Sequence, residues 1–296
     1  MQADVINDRQ LCAKKTECNT ATGTLKLIAL VFMVIDHAGV IFFSGKAPFL
    51  TNLHEMRVLG RIAFPIYAWC ICVGCMYTRD IRKYLLRLLI VGVISQPFYA
   101  AAMGHKWYEF NIFATLSMCV LGIAGIRSKK IVLRVLLPVI ALGASLVLSM
   151  DYGWKGVLFI LLLYMSREKK ASVAAVTVSF CLFWGFTSGS ALKTLLGINV
   201  ADMQKWLPFG SNFFSSIMRT QTFAMLALPF MLIPMRDVRL PKWLSYSLYP
   251  AHLLILYVLK NVLATAQSIP GAVLSDYMHA IFNAEYFGRI FSGSIF

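Results

Sequence analysis

Long apolar runs alternate with short basic clusters along most of the chain. A helix that crosses a bilayer needs about 20 apolar residues, each rising 1.5 Å. The pattern therefore predicts an all-α, polytopic integral membrane protein with about nine to ten transmembrane helices. Nine spans are predicted near residues 25–44, 62–78, 84–103, 111–126, 131–149, 153–165, 171–188, 222–235 and 243–264.

Polar segments border this apolar region. Residues 1–24 predict a polar cytoplasmic tail, because they lack the apolar core and small-residue cleavage site of a signal peptide. Residues 25–264 form the predicted membrane domain, and 265–296 a C-terminal tail at the membrane interface. The long connection 189–221 has an amphipathic pattern, which is typical of an interfacial helix or a lid.

The basic clusters predict an orientation. Lysines precede the first span, further clusters follow the second, fourth, sixth and eighth, and the loops between them are poor in Lys and Arg. Because cytoplasmic loops carry an excess of Lys and Arg, we expect the N-terminus in the cytoplasm. The net charge of +15 comes mainly from these clusters, so we expect it to set membrane topology and contact lipid and do not expect binding of nucleic acid.

Composition narrows the chemistry further. The chain is 59% hydrophobic and 14% charged, and its mean hydropathy is +0.70, which excludes an ordinary soluble domain. Most of the seven cysteines lie inside apolar runs. Because free cysteine behaves as a small hydrophobe, we expect buried thiols and no metal site.

Two ionisable residues interrupt the first span, LKLIALVFMVIDHAGVIFF, at Asp36 and His37. Such groups cost several kcal/mol inside a bilayer, so they usually face a cavity or a partner. His37 is predicted about 18 Å along its span, and His252, in SLYPAHLLILY, about 13 Å along the last span. Both spans run in the same direction, so the two imidazoles reach similar depths and are compatible with one shared site.

Further polar residues lie toward the predicted outer side. Arg61 occurs in LGRIAFPIYAW, and Glu109 and Asn111 occur in KWYEFNIFATL. We predict that Arg61 neutralises Asp36, which leaves His37 free for proton transfer. Ordinary structural roles remain open, because membrane histidines often join helices by hydrogen bonds and arginines at span ends often snorkel.

The four ordered segments LKLIALVFMVIDHAGVIFF, LGRIAFPIYAW, KWYEFNIFATL and LYPAHLLIL resemble the TraX family, the conjugative pilin acetylation proteins. The resemblance covers most of residues 25–260. It implies a polytopic protein of bacterial inner membranes that transfers an acetyl group from acetyl-CoA to the N-terminal amine of pilin. The chain is also similar to the broader membrane acyltransferases that modify surface sugars and use a histidine in an early span.

The implied reaction needs a base, a donor for the oxyanion and a site for coenzyme A. The residues assigned to it are His37, Asp36, Arg61 and His252 for catalysis, Asn111, Glu109, Tyr67 and Gln96 for substrate binding, and Arg79, Arg82 and Arg87 for coenzyme A. The rival functions are an O-acyltransferase of a surface glycan or glycolipid, a proton-coupled transporter, and a structural or assembly subunit. No internal repeat of the kind common in transporters is evident.

Overall fold

A computed structural model describes residues 16–43, 53–188, 194–195, 198–199 and 219–268. The all-α prediction is confirmed. The described part adds one short antiparallel strand pair, β1 (Thr194–Leu195) and β2 (Ile198–Asn199). The helices are α1 (Thr22–Phe43), α2 (Leu53–Gly60), α3 (Ala63–Tyr77), α4 (Ile81–Met103), α5 (Ile112–Ile126), α6 (Ile131–Val147), α7 (Gly153–Ser166), α8 (Lys170–Ser188), a 3₁₀ helix (Thr222–Ala227), α9 (Leu228–Leu232) and α10 (Lys242–Ser268).

Short connections make the long helices run in alternating directions, so their termini gather at two ends of the bundle. We call the end where α4 begins and α5 ends the basic end, because it carries the Lys and Arg clusters. There Arg127 Nη1 donates to the carbonyl oxygen of Cys75 over 2.6 Å. The opposite end, where α4 ends and α5 begins, is called the cavity end.

Helix α3 forms the centre of the bundle, and nearly every one of its residues is buried. It packs against α1, α5 and α7. At its middle, the indole Nε1 of Trp69 donates to the carbonyl oxygen of Asn19 over 2.6 Å, and the backbone N–H of Asn19 donates to Met231 over 2.9 Å. The segment before α1 thus links the central helix to α9.

The predicted count of nine spans is not confirmed. In the described part, four helical stretches are long and apolar enough to cross a membrane, namely Thr22–Phe42, Met56–Tyr77, Ile81–Met103 and Lys170–Thr187. Helices α5, α6 and α7 are apolar but shorter. The 15 residues of α5 rise only about 22 Å, less than the roughly 30 Å hydrocarbon core.

Several boundaries differ from the sequence prediction. The span predicted at 222–235 is a six-residue 3₁₀ helix followed by the five-residue α9, too short to cross a bilayer as one helix. Helix α10 continues to Ser268, four residues past the predicted span. The interfacial helix or lid predicted at 189–221 lies mostly outside the described residues, as do residues 1–15 and the tail beyond 268.

Candidate active site

Five segments enclose a cavity of about 510 Å³ at the cavity end of the bundle, within the usual range for ligand pockets. They are the second half of α1, the α2–α3 junction, the end of α4 and two loops, residues 104–111 and 148–152. Polar residues dominate one side of its lining: Asp36, His37, Arg57, Arg61, Tyr99, His105, Glu109, Asp151 and Tyr152.

Gln96 and Asn111 hold the first loop to α4. Gln96 Nε2 donates to the carbonyl oxygen of Glu109 over 2.8 Å, and its Oε1 accepts from Asn111 Nδ2 over 2.9 Å. Asn111 Oδ1 accepts the backbone N–H of Phe113 over 2.9 Å and so caps α5. Their polar atoms are thus occupied inside the protein and neither residue lines the cavity, so their role in substrate binding stays a prediction.

The second loop is held to the first by backbone hydrogen bonds. The N–H of Phe110 donates to Ser149 over 2.8 Å, and the N–H of Asp151 donates to Phe110 over 3.0 Å. The hydroxyl of Thr115 also donates to the carbonyl oxygen of Asp151. These bonds fix Asp151 and its neighbours against the cavity.

His37 and His252, for which the sequence predicts similar depths, are in direct contact. His37 Nδ1 lies 2.9 Å from His252 Nε2, and the rings are nearly parallel with centroids 5.1 Å apart. His252 Nδ1 lies 3.1 Å from the carbonyl oxygen of Leu248. Only His37 of this pair lines the cavity.

These contacts assign the tautomers of both rings. A carbonyl oxygen can only accept, so His252 Nδ1 carries a hydrogen and, in the neutral ring, Nε2 is an acceptor. His37 Nδ1 must therefore donate to it, which leaves His37 Nε2 unprotonated. His37, which lines the cavity, thus has one unprotonated ring nitrogen, the form that a general base requires.

Arg57, rather than the predicted Arg61, makes the ion pair with Asp36, with Arg57 Nε 3.7 Å from Asp36 Oδ1. Arg57 and Arg61 are four residues apart and project from the same side of the α2–α3 junction. Gly60 permits the close approach of this junction to α1, because a Cβ there would lie 2.2 Å from the Cβ of Asp36. Arg61 is close to Tyr152, which lines the same cavity.

Asp36 Oδ1 and Arg61 Nε are both buried without a hydrogen-bond partner in the described part of the chain. Buried polar atoms of this kind are uncommon and call for an explanation. Both residues line the cavity, so a bound ligand would supply the missing partners.

Tyr152 has a backbone φ of 64°, a left-handed conformation that side chains other than glycine seldom adopt. Its ring stacks on Phe64 with centroids 3.9 Å apart, which holds the residue at the cavity wall. Beside it, burial raises the pKa of Asp151 to about 6, although the nearby Arg61 acts in the opposite direction.

His105 and Glu109 form the rim of the cavity. His105 Nδ1 lies 2.7 Å from Glu109 Oε2, and the His105 ring stacks on Tyr99. The backbone N–H of Lys106 donates to the same carboxylate, and together with His105 it holds the pKa of Glu109 below its usual range. Glu109 thus lies where the substrate-binding prediction expected it, with its charge already engaged.

The remaining predicted residues lie away from the large cavity. Tyr67 lines only a smaller, deeper cavity, and its hydroxyl is 3.5 Å from the carbonyl oxygen of Lys26. Arg79, Arg82 and Arg87, which we call the three-arginine cluster, are at the basic end. Arg87 is twelve residues before Tyr99 on α4, or about 18 Å along the helix axis.

The described residues contain no group of three His, Cys, Asp or Glu side chains that is placed to hold a metal ion. Cys72 and Cys75 are fully buried in α3, where burial among apolar neighbours suits a packing role.

Residues 21–260 match the family model described as TraX protein. The chain belongs to the TraX family. It is 28% identical over 162 residues to the "Probable fimbrial assembly protein FimC, serogroup H1" of Dichelobacter nodosus, a match that covers 51% of this chain and 65% of the relative.

Two curated relatives carry the family name. The chain is 36% identical over 89 residues to "Protein TraX" of Escherichia coli and 31% identical over 88 residues to "Protein TraX" of Escherichia coli strain K12. Each match covers 30% of this chain and 33% of the relative. No solved structure matches the chain.

Sequence reasoning missed Arg57, His105, Asp151 and Tyr152 as members of this TraX-family cavity. A signal existed for Arg57, since residues four apart on a helix share a face with each other, here with Arg61. His105 and Glu109 have the same spacing. Asp151 and Tyr152 had no local signal, because a contact between two distant loops brings them to the cavity.

Proposed function

We propose that this chain is a membrane-embedded acyltransferase that moves an acetyl group from acetyl-CoA to the N-terminal amine of a pilin-like protein. The observation that carries the proposal is the His37–His252 pair, whose tautomers leave an unprotonated nitrogen on His37, a residue that lines a cavity with many polar side chains. His37 acts as the general base and His252 orients it.

The reaction balances with these groups alone. The acceptor amine attacks the thioester carbonyl carbon, and His37 Nε2 takes the amine proton. Arg61, whose buried Nε has no partner in the described residues, donates to the oxyanion. The carbon–sulfur bond then breaks, and His37 returns the proton to the thiolate of coenzyme A, leaving an amide.

The acceptor is inferred from the relatives. One is named a probable fimbrial assembly protein, and the family comparison covers the entire region that carries the cavity. A pilin N-terminus is a primary amine, which must lose a proton as it is acylated. Such an acceptor uses the unprotonated imidazole that the histidine pair provides.

The location follows from the charge distribution. The basic end carries clusters such as Arg127, Lys129 and Lys130, so we propose that it faces the cytoplasm of a bacterial inner membrane. The cavity end then faces outward, where pilin is assembled. The three-arginine cluster would hold the phosphates of acetyl-CoA on the cytoplasmic side.

The test is transfer of label from [¹⁴C]acetyl-CoA in proteoliposomes that contain the purified protein and a synthetic pilin N-terminal peptide. We expect labelled peptide with the wild type and a loss of about 100- to 10,000-fold with His37→Gln, since glutamine cannot accept the proton. Thr177→Val, which removes a buried hydroxyl of α8 away from the cavity, is the matched control and should stay active. Activity is scaled to protein recovered by size exclusion.

The rival functions give different results. Label on envelope glycan with none on the peptide would establish the O-acyltransferase alternative. Absence of transfer to any acceptor, together with proton-dependent uptake of a solute, would replace the enzyme by a transporter. An unchanged rate for His37→Gln would remove the histidine from catalysis.

A further inference from the structure

A second, smaller cavity lies deeper in the bundle, next to the first. Its volume is about 20 Å³. Asp36, His37, Asp151 and Tyr152 line both cavities, so these four residues form the boundary between them. The proposed base therefore stands between a space for a large ligand and a space for a very small one.

The walls that the inner cavity does not share with the first cavity are mainly apolar. Met33, Ala63, Phe64 and Ile112 contribute to them, and all four are buried. Met33 is one helical turn before His37 on α1, so the two side chains project from the same face. An apolar enclosure of this kind suits an alkyl group better than an ion.

The volume limits what can enter. A space of about 10–15 Å³ holds one water-sized group, so about 20 Å³ accommodates one group of roughly that size. A methyl group approaches this limit. A propionyl chain would add a second carbon, and the tight contact of Gly60 with Asp36 leaves little room for the wall to yield.

One polar group in the inner cavity is unused. Tyr249 lines it, and its buried hydroxyl has no hydrogen-bond partner in the described residues. The ring is fixed edge-on against Phe113 and His252, at centroid distances of 5.0 and 5.3 Å. A ligand with one small apolar end and an adjacent oxygen would satisfy both the walls and this hydroxyl.

We propose that the inner cavity is the acyl pocket, which takes the methyl end of the acyl group and restricts the transferred group to two carbons. The Tyr249 hydroxyl donates to the acyl oxygen. This assignment rests on the proposed acyltransferase function and adds the determinant of acyl chain length to it. Met33 is the residue that sets the depth of the pocket.

The experiment compares acetyl-, propionyl- and butyryl-CoA as donors for the pilin peptide. The wild type should prefer acetyl over propionyl in kcat/KM by about 10- to 200-fold, the range that one methylene provides in a closed pocket. Met33→Ala deepens the cavity and should reduce this preference at least about tenfold. Met76→Ala, an equally buried methionine of α3 outside both cavities, is the matched control and should keep the wild-type preference.

Two further variants test the pocket with smaller changes, which are less able to disturb folding. Ile112→Val removes a single methylene from the wall and should shift the preference in the same direction by a smaller factor. Tyr249→Phe should lower kcat for all donors without changing the preference, because it removes the hydrogen bond and keeps the shape.

The outcomes separate the pocket from the function. Transfer with no chain-length preference in the wild type, or equal shifts in Met33→Ala and Met76→Ala, would overturn the acyl pocket and leave the acyltransferase intact. Absence of transfer from every donor would overturn the proposed function and the pocket together.

Discussion

Replacement of His252 by leucine tests whether the two histidines work as one unit. The change removes the acceptor of the His37 Nδ1–H, which lies 2.9 Å away in a buried site. The His37 ring is then free to adopt the other neutral tautomer, with its hydrogen on Nε2, and in that form it is not a base toward the cavity.

The magnitude follows from the lost hydrogen bond. A buried donor left without a partner costs about 1–3 kcal/mol. At 1.36 kcal/mol per tenfold change, this corresponds to a loss of roughly 5- to 150-fold in kcat/KM. The loss should be smaller than the 100- to 10,000-fold effect expected for removal of the base itself. His252→Gln keeps both an acceptor for His37 and a donor for Leu248, so it should recover much of the rate.

The assay is acetyl transfer to the pilin peptide by wild type, His252→Leu, His37→Gln and the double variant. Since residues of one unit are strongly non-additive, the double variant should be no slower than His37→Gln alone. Leu256→Ala, one turn later on α10 and equally buried, controls for lost packing. Additive losses in the double variant, or a His252→Leu rate equal to that of the wild type, would refute the coupled pair.

Three further predictions concern the surroundings of the pair. Gln96→Leu should lower the free energy of unfolding by about 1–3 kcal/mol, because Asn111 loses a hydrogen-bond acceptor, and this loss should appear as a lower thermal midpoint in detergent. An unchanged midpoint together with a raised KM would instead support a role of Gln96 in substrate binding. Burial raises the pKa of Asp151 in the folded protein to about 6, above the ordinary value of 3.8. The contribution of Asp151 to the free energy of unfolding is therefore complete below about pH 3.8 and is lost as the pH rises through about 6. Asp151→Asn should remove that fall in a thermal-midpoint series from pH 4 to 8, and an identical pH profile would contradict the assignment. Changing the three-arginine cluster to glutamine should raise KM for acetyl-CoA more than it lowers kcat, and an unchanged KM at normal protein levels would reduce the cluster to a topology signal.

The sequence indicated similar depths for His37 and His252 although 215 positions separate them. The similarity follows from the helical rise and the common direction of two predicted spans, both of which are local properties of the chain. Depth along a helix is therefore readable from sequence once the spans are recognised. The hydrogen bond itself, and with it the tautomer of each ring, required the packing of α1 against α10.

Rotation about the helix axis was harder to predict than depth. Arg57 and Arg61 lie at nearby depths, and the choice between them as the partner of Asp36 depends on how the α2–α3 junction turns against α1 at Gly60. That turn is set by tertiary contact. For the same reason Asp151 has no signal in the sequence, since a backbone contact between Phe110 and Met150 brings its loop to the cavity.

The count of nine spans is not confirmed, for a physical reason that also bears on the site. Hydropathy recognises apolar runs, but α5 and α7 have only 15 and 14 residues, and both begin at the loops that enclose the cavity. Helices of this length are shorter than a bilayer is thick, so an apolar run alone does not decide whether they cross it. The loops before them are held by hydrogen bonds from the Gln96 side chain and by backbone bonds between the two loops.

Short helices and self-satisfied loops together explain how polar side chains can surround a cavity inside an apolar protein. The loops contribute His105, Asp151 and Tyr152 to the same cavity that His37 lines. Among the described residues, two that line the cavity have a buried side-chain atom without a hydrogen-bond partner: Arg61 at Nε, and Asp36 at Oδ1, which has only the 3.7 Å ion pair with Arg57. Incompletely hydrogen-bonded groups beside a cavity whose loops are themselves hydrogen-bonded favour its occupation by a polar ligand.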